Sequence, residues 1–235
     1  MNRIGILLIH GFAGKREELN PLYQHLIQKG YLVEMPLLPG HEGTKKELST
    51  AKYEDWLTSV EQSFLSISKR CDEVFVIGFS MGGLLAAHLW SYKLAGIITI
   101  NTPIYYWDPM RIAKNLLYNF REYSRKYFMA STDKSLTSMV EFQKLLTLTK
   151  PMFGNLKCRT MIIQTLDDDT AYHKSADYIF KKVCANKSII KFPVGGHLVF
   201  QSSSHQQVIE VIEQFISTPQ SIIKSQHHLA YASRL

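Results

Sequence analysis

Val74-Phe75-Val76-Ile77-Gly78-Phe79-Ser80-Met81-Gly82-Gly83 is the stretch on which the reading of this chain turns. Val74–Ile77 is a continuous apolar run, too short for a helix, and predicts a buried strand. A helix is expected from Leu84 to about Tyr92. A sharp strand-to-helix turn forces its middle residue into a strained backbone conformation, so the residues two before and two after must be small. Gly78 and Gly82 meet that need around Ser80, and Gly83 adds room. Such a turn lifts the Ser80 hydroxyl clear of the sheet and sets it at a helix N-terminus, which favours developing negative charge. The string also occurs by chance, so a glycine-rich turn with an inert serine is the alternative. Three other segments bear on that choice.

The first is Ile4–Ile9, another apolar run, which ends at His10-Gly11-Phe12-Ala13-Gly14. Acyl transfer through a serine needs two amide N–H groups aimed at the oxyanion, one after the nucleophile and one from the first strand's loop. Met81 and Phe12 stand at those positions. Only their backbones are required, so their side chains are free to line a pocket for an acyl group. His10 lies before the loop's turn and reads as a hydrogen-bonding prop rather than a base.

The second is Val194-Gly195-Gly196-His197, after an expected strand at Ser188–Phe192 and before an expected helix at Gln206–Ile216. The glycines let this loop carry the His197 imidazole over the sheet edge toward Ser80. The other histidines fit worse: His25 and His88 fall within helices, His41 in an early loop, His173 and His205 at helix starts, and His227 and His228 in the C-terminal tail. A solvated loop histidine is the alternative for His197. The third is Leu166-Asp167-Asp168-Asp169, after an expected strand at Thr160–Thr165. It brings carboxylates to the same sheet edge, where one can orient an imidazole and stabilise its cation. Three consecutive aspartates leave open which one does so; the others cap the next helix or face water. An acidic metal loop is the competing reading, but no EF-hand pattern accompanies it.

Around these segments short apolar runs alternate with amphipathic ones. Helices are expected at Glu17–Lys29, Tyr53–Lys69 and Ser175–Val183, and further strands at Leu32–Met35 and Ile97–Ile100. Such alternation implies a parallel sheet with helices on both faces. The rhythm pauses over 102–156, a helical and aromatic stretch without a good strand, which reads as an inserted cap.

These residues together give the chain a family likeness. It resembles the small bacterial carboxylesterases of the α/β-hydrolase superfamily, a group similar also to monoacylglycerol lipases. The likeness covers about 4–217. It rests on the 8–14 segment ending at Gly14, on Pro39-Gly40-His41-Glu42-Gly43, on Gly78 to Gly83, on Gln164 with Asp168 and Ser175-Ala176, and on Gly196-His197. The resemblance implies Ser80 as nucleophile, Asp168 as acid and His197 as base, with Phe12 and Met81 as oxyanion donors. It implies an α/β-hydrolase fold, a mostly parallel sheet of about six or seven strands flanked by helices. The core would be 1–101 and 157–218, the helical cap 102–156, and a C-terminal tail 219–235. The expected activity is hydrolysis of carboxylic esters with an apolar acyl group, without metal or organic cofactor. A monoacylglycerol lipase or a thioesterase would use the same residues.

Composition sets the outer limits. The chain has 235 residues, 46% hydrophobic and 20% charged, which excludes a disordered or collagen-like chain. Net charge is +7, which invites a rival reading as a basic membrane- or nucleic-acid-binding protein. Across 102–157 nine Lys/Arg face four Asp/Glu, so most of the excess sits in the expected cap. Arg111, Lys114, Arg121, Arg125 and Lys126 are the local concentration. They read as a solvated cap face, or as a weak membrane-surface contact. No zinc-finger or RRM signature accompanies them, so no nucleic-acid partner is expected. No apolar run approaches the roughly 18 residues of a spanning helix. Ile4–Ile9 is too short for a signal peptide's apolar region and lacks a small-residue cleavage site after it. Cys71, Cys158 and Cys184 fit neither a disulfide framework nor metal spacing. A soluble, reduced, cytoplasmic protein is the expectation.

Overall fold

A computed structural model of the chain describes residues 2–105, 136–219 and 229–231. Its centre is a seven-stranded sheet. The strands are β1 (Ile4–Ile9), β2 (Leu32–Glu34), β3 (Glu73–Phe79), β4 (Gly96–Ile100), β5 (Thr160–Thr165), β6 (Lys187–Phe192) and β7 (Leu229–Tyr231). Their order is β2-β1-β3-β4-β5-β6-β7, and every neighbouring pair is parallel. The inner strands are buried on both faces, which is why they read as unbroken apolar runs.

Successive side chains of a strand point to opposite faces, and two cores follow. Leu7, Ile9, Val74 and Val76 share one with Trp56, Val60, Phe64 and Ile67 of α3 (Tyr53–Ser68) and with α4 (Met81–Ala87). Ile6, Leu8, Phe75 and Ile77 share the other with α1 (Asn20–Gln28) and with Val208, Ile212 and Phe215 of α7 (His205–Ser217). Because every strand runs in the same direction, all the strand-to-helix loops gather at the same, carboxyl edge.

Some elements differ in detail from the sequence reading. The first helix opens as a 3-10 turn, Arg16–Leu19, and becomes α-helical only at Asn20. Pro21 is the reason: it lacks an N–H and suits the first turn of a helix rather than its interior. The helix expected to run to Tyr92 is α-helical only to Ala87 and tightens to 3-10 over His88–Ser91. A short helix, α2 (Lys45–Thr50), was not expected. Its start is a capping box in which Thr44 Oγ1 accepts from Glu47 N–H and Glu47 accepts from Thr44 N–H.

Of the expected cap, the described part is 102–105 and 136–156. It holds a helix, α5 (Leu136–Met152), lying over α2, α3 and α4. Tyr53 N–H donates to Glu141, and the His88 imidazole pairs with Thr149 Oγ1 at 2.7 Å, so α5 is fastened to the core at both ends. Arg111, Lys114, Arg121, Arg125 and Lys126 lie outside the described residues. The tail contributes β7, which pairs with β6. A sixth helix, α6 (Lys174–Lys182), connects β5 to β6.

Candidate active site

The carboxyl ends of β1, β3, β5 and β6 deliver the sequence-selected residues to one place. Ser80 follows β3 directly, and its backbone lies at φ +52, in the region that disfavours side chains. The glycines around it are required by contact. A Cβ on Gly78 would stand 2.3 Å from the Gly82 carbonyl carbon, and one on Gly82 would stand 2.2 Å from Ile9 O. On Gly83 it would meet the Thr102 hydroxyl at 1.9 Å. Ser80 N–H donates to Ile100 O at 2.8 Å, tying the turn to β4.

His197 reaches Ser80 from the far side. Its Nε2 lies 3.0 Å from Ser80 Oγ, and its Nδ1 lies 2.8 Å from Asp168 Oδ2. Nδ1–H donates to the carboxylate, which leaves Nε2 bare to accept the serine proton. Asp168 is fully buried at its side chain, and its other oxygen accepts from Thr170 and Ala171 N–H at 2.8 and 2.9 Å. These bonds fix the orientation of the buried carboxylate. The three aspartates separate by what they touch. Asp167 accepts from Gly195 and Gly196 N–H at 3.1 and 2.8 Å, and Asp169 accepts from the Thr170 hydroxyl.

Opposite His197, the loop after β1 turns tightly, with Gly14 N–H donating to Gly11 O. A Cβ on Gly11 would approach Ser80 Cβ to 3.1 Å, so this loop runs against the serine. Phe12 lines the cavity with Ser80, and Met81 is the first residue of α4, where an amide has no acceptor within its own helix. A covalent chemistry in which a basic imidazole takes the serine proton fits this arrangement.

A family model for the α/β-hydrolase family matches residues 6–211. The chain belongs to the α/β-hydrolase family. This hydrolase is 26% identical over 230 residues to a thermostable monoacylglycerol lipase of a Bacillus species, covering 91% of its own length and 90% of the relative. It is 23% identical to a carboxylesterase of Bacillus subtilis, covering 89% and 92% of the two chains. Among solved structures, one described with two metagenome-derived lipolytic enzymes superposes with a TM-score of 0.78 at 21% identity, over 92% and 94% of the chains. A soluble variant of monoglyceride lipase from Saccharomyces cerevisiae superposes at 0.70 with 16% identity, over 92% and 86%.

In this hydrolase His10 is completely buried behind the Phe12 loop. Its Nδ1–H donates to Gly11 O at 3.0 Å, and its Nε2 accepts from Leu38 N–H at 3.4 Å. Burial, then the neighbouring His41 imidazole, pushes its pKa down to about 4. It is a neutral brace between two loops and does not touch Ser80 in any hydrogen bond described. His41 is also buried and lowered, and packs edge-on against His10, Phe12 and Trp56. The Phe12 ring further meets Trp56 at 5.8 Å and Phe142 of α5 at 5.1 Å between centroids. Phe12 is therefore backed by buried aromatic rings, one of them on α5. Sequence reading missed Asn101 and Thr165, which hydrogen-bond to the His197 loop. The available signal was an asparagine and a threonine at the carboxyl ends of two strands beside the site. Among the described residues no group of three or more His, Cys, Asp or Glu is placed to hold a metal.

Proposed function

We propose that this hydrolase cleaves carboxylic esters with apolar acyl groups through an acyl-enzyme, as a carboxylesterase. Ser80 is the nucleophile, His197 the base and then the acid, and Asp168 the carboxylate that orients His197. The observation that carries this reading is the unbroken hydrogen-bond chain from Ser80 Oγ through His197 to Asp168, at 3.0 and 2.8 Å. His197 Nε2 takes the Ser80 proton as Oγ attacks the ester carbonyl. The Phe12 and Met81 amides receive the negative charge that develops on the carbonyl oxygen. The tetrahedral intermediate collapses, His197 returns the proton to the departing alcohol, and water repeats the sequence on the acyl-serine.

The kinship with a monoacylglycerol lipase and a carboxylesterase supports the ester class. Phe12, which lines the cavity at Ser80 and is backed by Trp56 and by Phe142 of α5, suits an apolar acyl chain. A second reading, a monoacylglycerol lipase, has its own support. The cavity at Ser80 has a volume of about 570 Å³, and on the His197 side it is lined by Asp169, Thr170, Gln201 and Ser202. Such polar groups suit a leaving alcohol that keeps free hydroxyls. A cytoplasmic setting agrees with the three unpaired cysteines. Among the described residues no helix is long and apolar enough to cross a membrane.

The test is Ser80→Ala. Turnover of p-nitrophenyl esters falls at least about 10⁴-fold while the protein stays folded. Retained turnover, or failure of a fluorophosphonate to label the wild type, overturns the proposal. A series of p-nitrophenyl esters and monoacylglycerols then separates the two readings by chain length and leaving alcohol.

A further inference from the structure

The His197 loop leaves β6, yet Ser80 stands at the end of β3, three strands away. At about 4.8 Å between strands, the loop spans roughly 14 Å over the carboxyl ends of β5 and β4. The residues at those two ends are Thr165 and Asn101. Asn101 is completely buried and sits at φ +48, in the left-handed region that asparagine tolerates better than most side chains. Its Nδ2 donates to Gly196 O and to His197 O, both at 3.0 Å. Its Oδ1 accepts from Thr165 N–H at 2.9 Å. The Thr165 hydroxyl donates to Gly196 O at 2.6 Å, so the same carbonyl is held from two strands.

The residue before Asn101 completes the picture. Ile100 O accepts from Ser80 N–H at 2.8 Å. One dipeptide, Ile100-Asn101, therefore bonds to the backbone of the serine turn and to the backbone of the histidine loop. We infer that Asn101 is a positioning residue, whose amide hangs Gly196 and His197 over the end of β4 and so sets how closely the imidazole approaches Ser80. The inference rests on the serine-hydrolase reading above. Asn101 touches no reacting atom; it acts through the His197 backbone. Asparagine combines a two-donor amide with tolerance of this φ, whereas aspartate would present an oxygen to two carbonyl oxygens.

The test starts with Asn101→Gly, which keeps the left-handed backbone and removes the amide. With p-nitrophenyl butyrate, kcat falls about 100-fold while KM stays within about twofold, the signature of a misplaced reacting group. The rate of fluorophosphonate labelling falls in parallel, because it depends on the same approach of His197 to Ser80. Thr165→Val lowers kcat about tenfold, the scale of one hydrogen bond, and Thr165→Ser restores it. In the double variant the losses are less than multiplicative, since both side chains hold one carbonyl. A kcat within about threefold of wild type in Asn101→Gly, or a loss carried by KM alone, overturns the inference. So does a Thr165→Ser as impaired as Thr165→Val, a comparison that stands even where Asn101→Gly does not fold. If these outcomes occur in a protein that Ser80→Ala inactivates, the positioning role fails and the serine-hydrolase reading stands. An unlabelled, inactive wild type removes both.

Discussion

Ser80 and His197 share a hydrogen bond, but each is held in place by different means. Around Ser80 there is no spare volume: added methyls at Gly78, Gly82 or Gly83 would overlap backbone or the Thr102 hydroxyl. Around His197 the packing is uneven: a Cβ on Gly195 would come within 2.7 Å of Thr165 Cγ2, whereas one on Gly196 would meet nothing within 4 Å, though its φ of +61 disfavours a side chain. That loop is fixed by hydrogen bonds that its amides donate to Asp167 and that its carbonyls accept from Thr165 and Asn101. Steric confinement tolerates no change of size but is indifferent to charge. A hydrogen-bonded loop depends instead on every donor and acceptor. The two halves should therefore fail differently.

Apart from loss of Ser80 itself, the largest effect is expected on the hydrogen-bonded half. Asp168→Asn keeps the shape but turns a donor toward His197 Nδ1, which favours the wrong tautomer. Esterase kcat falls about 10³–10⁴-fold with little change in thermal midpoint. A loss below about tenfold would remove the distinction between Asp168 and its neighbours. On the steric half, Gly82→Ala destabilises the fold by about 3 kcal/mol, because the overlap with Ile9 O is backbone on backbone. Urea unfolding measures it, and an unshifted midpoint would mean the turn has slack.

Acid comes next and bears on the Phe12 side. Burial depresses His10 and His88 from 6.5 to about 4, and lowers His41 as well. Below about pH 6.5 the unfolded chain takes up these protons and the folded chain does not, so stability falls as pH drops toward 4. His10 and His88 account for roughly 2–3 kcal/mol each over that window. His88→Gln should reduce the slope of unfolding free energy against pH by about one proton; an unchanged slope contradicts the burial argument. The smallest effect is Asp167→Asn, which keeps one acceptor for the Gly195 and Gly196 amides. It lowers kcat about tenfold or less, and a loss matching Asp168→Asn would make the two aspartates equivalent.

The same contrast explains what could be read in advance. The Ser80 turn was legible because its constraint lies within a few residues and selects glycine at fixed spacing. The inner strands β1, β3, β4 and β5 were legible because burial on both faces makes them continuous apolar runs, whereas β7 lies in a tail that showed no periodicity. The histidine clamp was not, since its members at 101, 165, 167 and 195–197 meet only when the sheet has formed. Polar residues at strand ends carry no periodicity to betray such a role. Helix α2 is a different case: Thr44 and Glu47 are a local capping signal, but the helix behind them is too short for its apolar pattern to register.

The sheet's two borders have a consequence of their own. β2 and β7 have three residues each, against five to seven in the strands between them. β6, with six residues, would be a longer and more inviting template for another chain if β7 did not pair with it. Parallel sheets assemble slowly and expose such edges while doing so. The short β7 thus covers the longer border of β6, and truncation before Leu229 is expected to show as turbidity rather than as lost turnover.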